Sequence, residues 1–165
     1  MKQKLVSFIL LAAISLLTLV SCGSGAAKYR DDVAVVDLCT MADALISDSS
    51  TMATMTSDYL YGMMGIELDG ISDYAVKVQA SGANVNEYGI FKASSADGVA
   101  NVEQMVQSYL AKRVETWMPE YMPEEFPKVQ NASYKTYGNY IVYCILADSD
   151  KTAVFNAIEA GLKAE

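Results

Sequence analysis

A run of apolar residues at positions 5–19 limits which part of this chain can fold as a domain. The run follows Lys2 and Lys4, and each large apolar side chain that leaves water contributes about 1.5–3 kcal/mol to partitioning. At about 15 residues it is shorter than the roughly 18–20 that a stable membrane span needs. We therefore interpret residues 1–21 as a cleaved export signal, so that the folded domain lies after it.

The export signal ends in a segment that resembles the bacterial lipobox, Leu19-Val20-Ser21-Cys22. The resemblance implies cleavage between Ser21 and Cys22 and a diacylglyceryl group on the Cys22 thiol, which is a better nucleophile than a hydroxyl. Two or more acyl chains anchor a protein stably, whereas one chain binds marginally. We expect acylated Cys22 to hold the protein on the extracytoplasmic face of the cell membrane. The alternative is an ordinary secretory signal with a chance cysteine.

The composition excludes several classes of partner. The chain has 12 Lys and Arg against 20 Asp and Glu, a formal net charge of −8. Such a charge repels phosphate backbones, so we expect no nucleic-acid partner. The chain has no histidine, which removes the commonest general base and metal ligand. We therefore predict neither a metal site nor a cofactor.

The residues after the signal divide into a tether and one domain. Residues 22–31 are small and polar without periodicity, which is typical of a flexible tether. Residues 32–165 are sufficient for a single domain with its own core. Apolar residues at helical spacing predict a first helix over residues 34–47, and Thr56 begins a short second helix.

Two β-hairpins follow these helices in the sequence pattern. Residues 74–78 alternate in polarity and are followed by a second strand over residues 87–93. Residues 132–137 and 140–147 flank Gly138-Asn139, a dipeptide that favours a tight hairpin turn. The last of these strands is almost continuously apolar, so we expect it inside the sheet with both faces covered.

Each hairpin leads into a helix. Helical spacing runs from residue 99 to residue 117, where Pro119 stops it, and a closing helix follows Asp148. The acidic, proline-rich composition of residues 119–127 predicts a stiff connector. The fold class we predict is α+β: N-terminal helices, then two β-hairpin–helix units that form a four-stranded, mostly antiparallel sheet packed against helices.

Three segments of the domain carry a family resemblance: Asp32-Val33-Ala34-Val35, Glu87-Tyr88-Gly89-Ile90-Phe91-Lys92-Ala93 and Tyr137-Gly138-Asn139-Tyr140-Ile141-Val142. In these segments the chain resembles a family of bacterial lipoproteins of unknown function, common in Gram-positive anaerobes. The resemblance implies this fold and the lipid anchor. It brings no assigned active site.

Tyrosines crowd the second hairpin. Tyr134, Tyr137 and Tyr140 form a candidate binding surface for a glycan or an envelope protein, because aromatic rings give contact area at low entropic cost and keep a polar tip. The structural alternative is that they, with Tyr143, form cross-strand pairs, each of which stabilises a hairpin by roughly 0.2–1 kcal/mol. The structural alternative is the stronger of the two.

Two further sets of side chains are candidate chemical sites. The first set could bind a soft metal such as Cu(I) but is more typical of core packing: Met52, Met55, Met63 and Met64. The second set consists of two neighbouring acid pairs: Asp148 with Asp150, and Glu124 with Glu125. Glycoside hydrolysis needs two carboxyls held across a cleft, whereas acids so close in a connector or helix start are expected to be solvated.

Cys39 and Cys144 are the remaining cysteines. In an exported protein they could form a disulfide, but their apolar surroundings favour two buried thiols. No serine-nucleophile motif and no glycine-rich phosphate loop occurs in the domain. We therefore predict no catalytic residues and a non-enzymatic binding or accessory module of the cell envelope. The alternative is an envelope hydrolase or a thiol-redox protein.

Overall fold

The computed structural model describes residues 29–118 and 120–164. The predicted signal at residues 1–21 and the predicted lipidation site Cys22 lie outside these residues. The helices are α1 Val35–Asp43, α2 Ser57–Tyr59, α3 Val99–Glu115, α4 Phe126–Gln130 and α5 Asp148–Leu162. The strands are β1 Met52–Thr54, β2 Ile71–Gln79, β3 Glu87–Ala93, β4 Ser133–Tyr137 and β5 Tyr140–Ile145.

The strands form one antiparallel sheet in the order β1-β2-β3-β5-β4. The sheet has five strands, so the prediction of four is wrong by one. The missing strand is β1, which pairs Met52 with Gln79 and Thr54 with Lys77. Three residues are too few for an alternating pattern, and β1 is a strand because β2 offers it an edge.

Helices cover both faces of the sheet. One face, which we call the α1–α5 face, packs Tyr88 and Ile90 of β3 against α1 and α5. The other, the α3 face, packs Phe91 of β3 against α3 and α4 and against Leu60 and Met64, which follow α2. Every residue of β5 is buried. The prediction that this strand lies inside the sheet is confirmed.

The turn of the second hairpin follows from its sequence. Gly138 has φ +58°, a conformation that glycine adopts without steric cost, and Tyr137 pairs directly with Tyr140. The two strands match the predicted ranges closely, and β3 occupies the predicted residues 87–93. The residues of the turn were therefore sufficient to predict this hairpin from the sequence.

Other boundaries depend on contacts distant in sequence. Helix α1 is shorter than the predicted 34–47, and the Asp73 carboxylate accepts a hydrogen bond from Val35 N at 2.9 Å at its start. Helix α4 lies in and after the predicted connector, with Pro127 in its first turn, where no amide donor is required. Glu125, expected to be solvated, is buried just before it.

The folded domain also includes residues assigned to the tether at 22–31. Tyr29 forms a β-bridge with Lys163, and Arg30 N donates to Leu162 O at 2.8 Å. These backbone bonds attach the start of the described chain to the end of α5. Within the described residues no helix is long and apolar enough to cross a bilayer.

Candidate functional site

Glu87 brings a carboxylate into the core of the α3 face. It is the first residue of β3, paired with Val78 of β2 on one side and Ile145 of β5 on the other, and its side chain is 2% exposed. An unpaired carboxylate at such a position would cost far more than a domain can tolerate. The side chains that surround Glu87 must therefore compensate its charge.

Three side chains meet the Glu87 carboxylate. Tyr109 Oη of α3 donates to Oε1 at 2.5 Å, and Tyr143 Oη of β5 donates to the same oxygen at 2.8 Å. The Arg113 guanidinium lies one turn after Tyr109 on α3, with Nη2 3.4 Å from Oε2. Short bonds to an ionised acceptor are the strong kind. We call these four residues the Glu87 cluster.

Gly89 is what allows Tyr143 to reach Glu87. The two residues are paired across β3 and β5, and a Cβ on Gly89 would lie 2.2 Å from Tyr143 Cε1. The Tyr143 ring lies across the bare backbone of Gly89 and packs edge-on against Tyr109, with centroids 5.6 Å apart. A glycine inside a buried strand marks such a close approach.

Burial dominates the electrostatics of the cluster. Removal from water raises the pKa of the Glu87 carboxyl above its ordinary value, while the Arg113 charge and the two tyrosine hydroxyls act in the opposite direction. Burial, followed by the nearby Glu87 charge, raises the pKa of both Tyr109 and Tyr143. Both hydroxyls therefore remain protonated donors at neutral pH.

The Glu87 cluster opens onto a cavity of about 260 Å³. A neighbouring hollow of about 150 Å³ shares Arg113 and Thr116 with it. We call the two together the Arg113 groove. Its main lining residues are Tyr59, Met63, Glu87, Lys112, Trp117 and Tyr121, besides the two shared ones.

Two buried N–H groups in the groove lack acceptors. Neither Arg113 Nε nor Trp117 Nε1 has a hydrogen-bond partner among the described residues. A buried polar group left unpaired costs about 1–3 kcal/mol, and native structures contain few. Two residues that line the groove therefore carry buried N–H donors that the described part of the fold does not use.

Large apolar side chains stand exposed at the rim of the groove. Met63 is 71% exposed, Met118 66% and Tyr121 75%, and Tyr59 is exposed as well. Single exposed apolar residues are ordinary, but several along one groove are typical of a binding surface. The sequence favoured core packing for Met63; the structure places it in solvent.

A π-helical turn, Leu60–Met64, continues α2 beside the groove. It ends at Gly65, whose φ of +68° closes the turn. The turn buries Met64 while leaving Met63 outside. π-helical turns are rare and frequently occur at functional sites.

The tyrosines singled out by sequence do not form one surface. Tyr137 and Tyr140 are buried on the α1–α5 face, where their hydroxyls donate to Phe155 O at 3.0 Å and to Val33 O at 2.6 Å. Tyr134 packs on the opposite face and accepts from Gln107 Nε2. A binding surface made of Tyr134, Tyr137 and Tyr140 does not fit this placement, because pleating sends the rings to two faces and the core takes two of them.

The other candidate residues have structural surroundings. Cys39 and Cys144 are buried free thiols, and burial raises the pKa of both. The described residues contain no group of three or more His, Cys, Asp or Glu side chains able to hold a metal. Asp148 pairs with Lys151 at 2.8 Å at the start of α5.

Glu125 has a structural role that the sequence did not suggest. Its Oε2 accepts from Val85 N at 2.9 Å and pairs with Lys128 Nζ at 2.8 Å. It therefore ties the segment before β3 to α4. Neither Glu124–Glu125 nor Asp148–Asp150 lines the Arg113 groove.

Sequence reasoning missed Glu87 as a site residue. The signal was present: an acidic residue opens a strand whose only other charged residue is Lys92, and Gly89 follows two positions later on the same face. Its partners Tyr109, Arg113 and Tyr143 are spread over two other elements. Only the packing of α3 on the sheet brings them together.

The comparisons with known proteins bear on the family of this chain. No curated protein and no solved structure is similar enough to match. Residues 46–146 match a family described as Domain of unknown function (DUF4358). The match runs from before β1 to the end of β5, so it contains the whole sheet and the Arg113 groove. The chain belongs to this DUF4358 family.

Proposed function

We propose that the protein is a lipoprotein of the cell envelope, anchored through acylated Cys22 on the extracytoplasmic face of the membrane, whose domain is a binding module. The ligand site is the Arg113 groove, and the partner is an envelope protein, a glycan or a smaller envelope component. The likeness to Gram-positive lipoproteins and the lipobox at Leu19-Val20-Ser21-Cys22 support the anchor.

One observation carries the binding role. A buried charged cluster opens into a groove where Arg113 Nε and Trp117 Nε1 have no acceptor among the described residues. A purely structural cluster is expected to satisfy its own donors, since each unpaired one lowers stability. An acceptor on a ligand would satisfy both, and Met63 and Tyr121 at the rim supply adaptable apolar contact.

The groove favours binding over the alternatives. Glu87 is the only carboxylate among its described lining residues, whereas most glycoside hydrolases use two. Reactive cysteines are exposed and have a lowered pKa, but Cys39 and Cys144 are buried with a raised pKa. Rapid alkylation of either thiol in the native protein would restore the redox alternative.

The anchor is tested by metabolic labelling with an alkyne fatty acid in a bacterial host that lipidates proteins. We expect the wild-type chain and a Cys144→Ala control to carry the label, and a Cys22→Ala variant to lose it. Label that persists in Cys22→Ala, or its absence from the wild-type chain, contradicts the anchor.

The binding site is tested by photo-crosslinking on intact cells. A benzophenone amino acid at Tyr121, on the rim of the groove, is compared with the same group at Val36, which is 68% exposed on α1. We expect one defined adduct from position 121 that position 36 does not give. Equal adducts from both positions, or none from position 121, contradict the groove as the ligand site.

A further inference from the structure

The Arg113 groove has a local charge opposite to that of the protein. We infer that its ligand is an organic anion with an apolar body: an acidic head group between Lys112 and Arg113, and an apolar part on the methionines and tyrosines of the rim. This inference rests on the proposed function, since it names the chemical class of ligand for that same site.

The charges of the groove leave one cation without a counterion. Lys112 and Arg113 are consecutive residues in the last turn of α3, and Glu87 pairs with Arg113 alone. Lys112 is exposed, and its Nζ has no ion pair among the described residues. In a chain of net charge −8, the described lining residues of the groove carry two positive charges, Lys112 and Arg113, and one negative charge, Glu87. An anion is the ligand such a field concentrates.

The two unused donors belong to residues that line the groove beside Lys112. Arg113 turns Nη2 toward Glu87, which leaves Nε as a buried donor without an acceptor. Trp117, two residues after the end of α3, lines the same hollow as Arg113. Hydrogen bonds to a charged acceptor are stronger than those to a neutral one.

The apolar part of the ligand has contacts on both sides of these donors. Tyr59 and Met63 line the larger cavity, and Met118 and Tyr121 line the smaller hollow. Volumes of about 260 and 150 Å³ are suited to a small organic molecule rather than to a bare inorganic ion. Flexible methionines and flat tyrosine rings adapt to apolar groups of varied shape.

Basic residues at the end of a helix also have a structural explanation. Lys112 and Arg113 interact favourably with the negative end of the α3 dipole whether or not a ligand binds. A test by stability alone would not separate the two roles. The measurement must therefore be ligand affinity, with the charge of the probe as the variable.

The test uses two fluorescent probes with the same aromatic skeleton and the purified full chain. One is 1-anilinonaphthalene-8-sulfonate, an anion, and the other is N-phenyl-1-naphthylamine, which lacks the sulfonate. We expect the anion to bind one saturable site about tenfold more tightly than the neutral probe. Lys112→Gln should weaken the anion by about fivefold, as loss of one partly exposed ion pair does, and leave the neutral probe unchanged.

Two control variants complete the design. Lys163→Gln removes an equal charge directly after α5, where Lys163 pairs with Glu159, and should leave both affinities unchanged. Tyr121→Ala should weaken both probes, which locates them in the groove. Circular dichroism and the thermal midpoint establish that each variant is folded before its affinity is compared.

The outcomes separate the inference from the proposed function. Equal binding of the two probes, or an anion affinity that Lys112→Gln does not change, overturns the anionic ligand while leaving the groove as a binding site. Absence of saturable binding by either probe, or binding that Tyr121→Ala does not weaken, contradicts the groove itself and the inference with it.

Discussion

Glu87 and Tyr88 are neighbours in β3, and each begins a polar cluster on its own face of the sheet. On the α1–α5 face, Tyr88 Oη donates to Asp43 Oδ1 at 2.8 Å, and Asp43 also pairs with Lys77. On the α3 face, Glu87 accepts from two tyrosines and pairs with Arg113. The two clusters use the same chemistry and differ in whether their donors are all used.

The α1–α5 face also has a cavity, of about 360 Å³, lined by Cys39, Asp43, Asp73 and Lys77 among others. None of its described buried side-chain N or O atoms lacks a hydrogen-bond partner. The two parts of the Arg113 groove, of about 260 and 150 Å³, together have a similar volume, yet two such atoms belong to its lining residues. What distinguishes the two regions is unpaired donors and not volume, so the comparison favours the groove as the functional region.

The degree of burial is the second difference. The Glu87 side chain is 2% exposed, whereas Asp43 is 28% exposed and Lys77 20%. Water can replace a lost partner of Asp43 or Lys77, but it cannot replace a lost partner of Glu87. Removing a charge from each cluster should therefore have unequal consequences, and each experiment below compares matched changes.

Glu87→Ala should have the largest effect, a loss of about 3–5 kcal/mol in the free energy of unfolding, because it leaves Arg113 and two tyrosine hydroxyls without their acceptor. Asp43→Ala should cost only about 1 kcal/mol, since its ion-pair partner Lys77 reaches water. Urea denaturation with unchanged m-values measures both. Equal losses would mean that the two clusters are equally desolvated.

Removing one tyrosine hydroxyl from each cluster should follow the same order with smaller effects. Tyr143→Phe removes a donor to a fully buried carboxylate and should cost about 1.5–3 kcal/mol, whereas Tyr88→Phe should cost about 0.5–1.5 kcal/mol. Both replacements keep the ring and therefore the packing. A larger loss for Tyr88→Phe in urea denaturation would reverse the comparison.

Gly89→Ala should destabilise the protein by about 1–3 kcal/mol, because the new Cβ would meet the Tyr143 ring at 2.2 Å. Gly62→Ala is the matched control, since no atom lies within 4 Å of a Cβ there. Its thermal midpoint should remain near that of the wild-type protein.

Combining Gly89→Ala with Tyr143→Leu tests the cause of that loss. Removing the ring should relieve the clash, so the double variant should be more stable than the sum of the two single losses predicts. Strict additivity would show that the ring of Tyr143 is not what Gly89 accommodates.

A change of pH should have the smallest effect of all. The titration of one group changes the free energy of unfolding by at most about 1.4 kcal/mol per pH unit. Burial raises the pKa of Glu87 above its ordinary 4.5, so the folded protein binds that proton more tightly than the unfolded chain. Relative to Glu87→Gln, the wild-type protein should lose stability as pH rises from 4.5 through the raised pKa.

Glu159 on α5 should give the opposite slope. The hydrogen bond from Lys163 lowers the pKa of Glu159, so its contribution is present above 4.5 and is lost as pH falls through the lowered pKa. Unfolding of wild type, Glu87→Gln and Glu159→Gln across this range measures both slopes. Parallel curves for wild type and Glu87→Gln would show that burial does not perturb Glu87.

Segments with strong local signals could be predicted from the sequence. Strand β3 at residues 87–93, the turn at Gly138-Asn139, and helix α3 up to its proline stop follow from polarity pattern, glycine conformation and proline geometry. The interior position of β5 followed from its unbroken apolar run. Each of these signals acts over a few residues.

Elements that depend on a distant partner could not be predicted. Strand β1 has three residues and exists through its pairing with β2, and α4 is a single short helix after a proline-rich segment. The lipid anchor at Cys22 stays a prediction, because it lies outside the described residues. Its test is chemical and not structural.

The sequence by itself determined the alternation of strands and helices, the hairpin turns and the DUF4358 family of the chain. The tertiary structure decided that Glu87 is buried, that Tyr137 and Tyr140 belong to the core, and that two residues lining the groove have buried donors without an acceptor among the described residues. The physical reason is that burial and charge compensation depend on side chains from β3, β5 and α3 meeting at one point. The pattern of residues along the chain specifies each helix and strand, but the desolvation of a side chain depends on all the residues that pack around that side chain.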